Sequence, residues 1–104
     1  MEFETISWGG LELDLNRHDL VCSGRSVHLS LKEYEVMRLF LANPDVVLTK
    51  ESLITRVWGY DSDADANNVE AYISFLRKKL FYLDAPVTLV SLRKVGYRME
   101  RSAS

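Results

Sequence analysis

Apolar and polar residues alternate along the N-terminal third of the chain and then change to a three-to-four-residue period. Phe3-Glu4-Thr5-Ile6-Ser7-Trp8 has the two-residue period of a half-buried strand. Gly9-Gly10 can supply the positive φ of a tight hairpin turn, after which Leu11, Leu13 and Leu15 alternate with Glu12, Asp14 and Asn16. Leu20 to Cys22 and Ser26 to Leu29 repeat the pattern, with Ser23-Gly24-Arg25 as the turn between them. Together these stretches predict a four-stranded antiparallel meander with one apolar face, which needs helices to cover it.

The cover begins at Ser30-Leu31-Lys32-Glu33, where Ser at the cap and Glu three residues later can each satisfy a backbone N–H. Leu31, Tyr34, Met37, Phe40 and Leu41 follow at helical spacing until Asn43-Pro44 ends the segment. A shorter helix starts near Thr49, carries Leu53, Ile54, Val57 and Trp58 on one face and stops at Gly59. A third, over about 66–83, places Val69, Ile73, Leu76, Leu80 and Leu83 on a single stripe that must face the core. Asp84-Ala85-Pro86 breaks it, and Val87 to Leu92 and Tyr97 to Glu100 read as two last strands joined by Arg93-Lys94-Val95-Gly96. The predicted fold is a single α+β domain over residues 1–104, with no linker and no internal repeat.

Composition narrows the class. At 104 residues and 47% hydrophobic, the chain can bury a core without disulfides or a metal. Its single cysteine, Cys22, cannot close an internal disulfide, which fits a reducing, cytoplasmic setting. No apolar run approaches the ~20 residues needed to span a bilayer, and MEFETISW lacks the basic start and apolar stretch of a secretory signal. Net charge is −2, but it is unevenly spread. Residues 66–104 hold seven basic side chains (Arg77, Lys78, Lys79, Arg93, Lys94, Arg98, Arg101) and three acidic ones, whereas the remainder is acidic. That asymmetry fits one polyanion-facing surface on an acidic body, or an ordinary solvated face.

Candidate chemistry is sparse. His18 and His28 have no Cys or His neighbour at ligand spacing, so no metal site is expected. Gly9-Gly10 is explained by a turn rather than by a phosphate loop, and no cofactor or reaction is implied. What remains is a short helix, a connection, a longer helix with one apolar stripe, and a basic hairpin. A helix-turn-helix arranged to put its second helix in a major groove has this order, although the connection is longer than a simple turn. Two helices merely packed under a sheet would show the same stripes.

Leu48-Thr49-Lys50-Glu51-Ser52-Leu53, Val57-Trp58-Gly59, Leu76-Arg77-Lys78-Lys79-Leu80 and Val95-Gly96-Tyr97-Arg98 together resemble the C-terminal winged-helix effector domain of bacterial OmpR/PhoB-type response regulators. The likeness covers essentially the whole chain, while the phosphorylatable receiver domain that precedes it in that family is absent from these residues. The fold implied is a winged helix-turn-helix: an N-terminal four-stranded sheet, three helices and a C-terminal β-hairpin wing. The function implied is sequence-specific binding of double-stranded DNA, regulating transcription as the output of a two-component system. Two copies would sit head to tail on direct repeats, the isolated domain being monomeric.

The resemblance also assigns roles. The helix over about 66–83 is the recognition helix, with Asn67 and Asn68 at its N-terminus, where a phosphate is favoured and Asn can pair with adenine. Capping is the alternative for one of the two. Glu70 and Ala71 match base-facing positions, and Ser74, Arg77 and Lys78 suit phosphates. Trp58 and Tyr72 match positions that reach the DNA backbone, with a core role equally open for Trp58. In the wing, Arg93 matches the minor-groove arginine, and Ser91 and Tyr97 match backbone contacts. The acidic loop Tyr60, Asp61, Ser62, Asp63, Ala64, Asp65 takes the place that faces RNA polymerase in the family. Four departures stand out. Phe75, Ser74 and Asn67 occupy positions often basic in the family, Phe75 either touching thymine methyls or lying buried. Lys94 stands where the wing turn usually has glycine. Fewer cations mean a shallower salt dependence, and a winged-helix protein-interaction module with weakened DNA binding is the alternative reading.

Overall fold

The structure, a computed structural model, describes residues 4–102; Phe3, assigned above to the first strand, lies outside them. Four short strands, β1 (Thr5–Trp8), β2 (Leu11–Asp14), β3 (Asp19–Cys22) and β4 (Arg25–His28), form an antiparallel sheet in sequence order. Leu13 pairs with Leu20 across β2 and β3, and both are fully buried, while Glu12 on the opposite face is exposed. Arg25, read from sequence as a turn residue, is the first residue of β4, leaving Ser23-Gly24 as the turn.

Helix α1 (Leu31–Ala42) opens with the expected capping box: the Ser30 hydroxyl accepts from the Glu33 N–H, and the Glu33 carboxylate accepts from the Ser30 N–H at 2.8 Å. Its buried face is Tyr34, Val36, Met37, Phe40 and Leu41. Leu31, expected on that stripe, is 57% exposed.

Leu48–Thr49 form a two-residue strand, β5, which the sequence pattern did not suggest. It is followed at once by α2 (Lys50–Leu53), capped by the Thr49 hydroxyl, and by a π-helical turn over Ile54–Trp58. Gly59 ends this segment at φ +97°, its N–H shared between the carbonyls of Ile54 and Thr55. Helix α3 (Ala66–Tyr82) buries Val69, Ile73, Leu76 and Leu80, with Leu83 buried just beyond its end. The last strands, β6 (Val87–Leu92) and β7 (Gly96–Arg101), pair along their full length. Because β5 pairs with β7, the wing is a three-stranded sheet of order β5-β7-β6 rather than a bare hairpin.

One core joins the layers. Leu11, Leu13, Leu20 and Cys22 from the first sheet meet Met37 and Phe40 of α1, Leu76 and Leu80 of α3, and Leu89 and Met99 of the wing. Burying each such side chain contributes roughly 1.5–3 kcal/mol. A polar tie then fixes α3 against α1: Lys79 Nζ donates to Glu33 Oε1 at 2.6 Å and to the His28 carbonyl at 2.9 Å. Burial pushes the Glu33 carboxyl up, but the hydrogen bonds from Lys79 and from the Ser30 N–H outweigh it and hold it below the usual glutamate range.

Candidate nucleic-acid interface

The stripe that anchors α3 decides what it shows to solvent. With 100° between residues, Asn67, Ala71, Ser74 and Lys78 lie opposite Val69, Ile73, Leu76 and Leu80. Glu70 and Arg77 fall on one flank, and Tyr72 and Phe75 on the other. Asn67, Ser74 and Lys78 are exposed and Ala71 is half-buried. The outer face is therefore a shallow strip of small and polar side chains between two different walls.

The first wall is the wing. Arg77 Nη2 donates to the Leu89 carbonyl at 2.7 Å and to the Ser91 hydroxyl at 3.0 Å, and Nε donates to the same carbonyl. Its guanidinium also lies 6.0 Å from the centre of the Tyr97 ring. The sequence suggested a phosphate as the partner of Arg77; here it clamps α3 to β6. Tyr97, expected to contact the DNA backbone, is only 5% exposed and supports the clamp from below. Ser91 does lie at the surface, as acceptor for Arg77. Two residues further, Arg93 and Lys94 stand exposed in the turn between β6 and β7. The clamp thus ties β6 to α3 just before that turn.

The second wall is aromatic. Trp58, at the end of the π turn, meets Tyr72 edge to face at 5.4 Å, and Tyr72 meets Phe75 in the same way at 5.3 Å. A π turn inserts one extra residue per hydrogen-bonded loop and redirects the chain beyond it. Lys32 Nζ donates to the Val57 carbonyl at 2.7 Å, satisfying an oxygen at this segment's end. Trp58 is half-buried, and Phe75 is 43% exposed, which removes the buried option for it.

The N-terminus of α3 is occupied from within. Asp65 accepts from the Asn67 N–H at 2.9 Å, and Asn68 Oδ1 accepts from the Asp65 N–H at 2.9 Å. Asn68 is thus the capping residue of the pair. The Asp65 carboxylate stands where a phosphate was expected, leaving the Asn67 side chain free of that duty. In the rest of the acidic loop, Tyr60 is 91% exposed and Asp61 and Asp63 are exposed, while Ser62 and Ala64 are half-buried and the Ser62 hydroxyl accepts from the Ala64 N–H at 2.8 Å.

Charge on this side is more selective than composition indicates. Lys79 is held by Glu33, Arg98 by Glu100, and Arg101 lies over the Trp8 ring. Lys78, Arg93 and Lys94 enter no ion pair among the described residues. Glu70 pairs with Lys50 at 3.4 Å, a partner that sequence spacing could not reveal because it sits twenty residues away at the start of α2. Lys94 adopts φ +64°, the left-handed conformation a glycine would take without strain. Among the described residues no group of His, Cys, Asp and Glu could hold a metal, and no helix is long and apolar enough to cross a membrane.

Residues 24–99 match the family model for the C-terminal domain of transcriptional regulatory proteins. The chain is an OmpR/PhoB-type regulator domain. Curated relatives agree: it is 37% identical over 92 residues to the transcriptional regulatory protein DltR of Streptococcus agalactiae, covering 88% of this chain and 41% of DltR. It is 34% identical over 95 residues to the heme response regulator HssR of Staphylococcus saprophyticus, covering 91% of this chain and 42% of HssR. The chain therefore spans about two fifths of the length of these relatives. Among solved structures, the DNA-binding domain of the response regulator AdeR, crystallised with an intercistronic region, superposes with a TM-score of 0.80 at 28% identity, covering 91% of this chain and 98% of that one. The Klebsiella pneumoniae RstA DNA-binding domain, crystallised with the RstA box, gives 0.76 at 26%, covering 91% and 95%. The OmpR/PhoB-type family is one of DNA-binding transcription regulators rather than enzymes, and the expected winged helix is the fold observed.

Proposed function

We propose that this domain binds double-stranded DNA sequence-specifically, as the cytoplasmic output of a two-component response regulator, and so regulates transcription. In this reading α3 enters the major groove with Asn67, Ala71, Ser74 and Lys78 toward the bases and phosphates, and Glu70, Tyr72, Phe75 and Trp58 along its flanks. Arg93 enters the minor groove and Lys94 faces its phosphates. Ser91 and Arg77 hold the joint between them.

The observation that carries the reading is the Arg77 clamp on Leu89 and Ser91, which ties α3 to the strand that leads into the basic wing tip and so supports their acting together. The exposed acidic loop over 60–65 repels DNA and is the candidate contact for RNA polymerase. Head-to-tail binding of two copies on direct repeats, by an isolated domain that is monomeric when free, completes the proposal.

Selection of bound sequences from a random duplex pool, with a salt titration on the winners, tests it. A recurring site whose affinity falls steeply as salt rises supports the reading. Absence of binding at low salt refutes it.

A further inference from the structure

The aromatic wall beside α3 enters none of the bonds that clamp the wing, and of its three rings Trp58 packs against the core while Phe75 faces solvent. Phe75 leaves 43% of its surface in solvent, yet its position is fixed by edge-to-face contact with Tyr72, which is fixed in turn by Trp58. A ring held in this way loses little conformational freedom on binding. Its hydrocarbon edge offers no hydrogen bond, so an apolar feature is its natural complement.

On its helix Phe75 neighbours Ala71 four residues before and Lys78 three residues after, at the margin of the strip proposed to face the bases. Polar Ser74 and Lys78, which enters no ion pair among the described residues, lie beside it on the helix, a setting that suits a polyanion. The apolar feature that a B-DNA major groove presents is the C5 methyl group of thymine. Resting on the major-groove reading of α3, we propose that Phe75, braced by Tyr72 and Trp58, reads thymine methyls and makes the site demand thymine at the step it faces.

Replacing thymine by deoxyuridine removes the methyl and leaves every hydrogen-bonding group in place. In the duplex selected by the unaltered domain, each thymine is exchanged singly for deoxyuridine and binding is measured by fluorescence anisotropy. At one or two positions within the major-groove half-site, affinity is expected to fall about three- to tenfold, the scale of one buried methyl group. F75A and F75S should bind the thymine and deoxyuridine duplexes equally at those positions. R93A should lower affinity for both by a common factor and preserve their ratio. Thermal melts of the Phe75 variants separate loss of the ring from loss of the fold.

Equal affinity of the unaltered domain for duplexes with and without the methyls overturns the proposal, as does a methyl preference that survives F75A. Either result leaves DNA binding intact, whereas failure to bind any duplex at low salt removes the DNA-binding reading and this inference with it.

Discussion

Arg77 shows how far a side chain's role depends on its neighbours. In the sequence it is one cation in Leu76-Arg77-Lys78-Lys79, and a phosphate is the natural partner. In the fold it is bidentate to a main-chain carbonyl and to Ser91. The two roles differ measurably. R77A is expected to weaken DNA binding by about 1–3 kcal/mol, but as a clamp it should leave the salt dependence of binding unchanged. A lost phosphate contact would instead lower the slope by about 0.9. R77K should not restore affinity, because an ammonium cannot span both acceptors. Glu33 is a comparable case: its place in the capping box is legible from Ser30 three residues earlier, but its bond to Lys79 joins positions 46 apart. Since its carboxyl is held below the ordinary value of 4.5, its contribution to stability is complete above that pH and is lost as pH falls through the lower native value. E33Q is accordingly expected to destabilise the domain by about 1.5–3 kcal/mol at neutral pH. Denaturant melts should show the gap to the unaltered protein closing below pH 4.5.

Elements defined by local signals were readable in advance: the meander from its two-residue period, α1 from its cap, α3 from its stripe. The α3 stripe also fixed which residues face outward, and hence most of the candidate surface. What escaped was set by distant partners. Leu48–Thr49 is too short to carry a period and becomes a strand only because Tyr97 and Gly96 lie opposite. The π turn has no sequence signature of its own, so the placement of Trp58 against Tyr72 could not be foreseen. Gly96 has a purpose visible only in the pairing, since a Cβ there would be driven into the Leu48 carbonyl. G96A should therefore cost about 2 kcal/mol or more. Hydrogen exchange should report the damage at the Leu48 and Thr49 amides while protection in α1 persists.

At the scale of the whole molecule, an acidic body presents one small cationic edge. Lys78, Arg93 and Lys94 are its exposed cations outside both the ion pairs and the Arg77 clamp among the described residues, so the logarithm of affinity should fall with the logarithm of salt at a slope of roughly −3 per bound domain. Two copies on direct repeats should about double it, and anisotropy titrations on one-site and two-site duplexes read both values. The left-handed backbone at Lys94 then sets stability and affinity against each other. A lysine in that conformation costs about 1 kcal/mol that glycine would not, so K94G is expected to raise the melting temperature while loosening the grip on DNA. A search for heat-resistant variants would remove this lysine early, and one for tight binders would keep it.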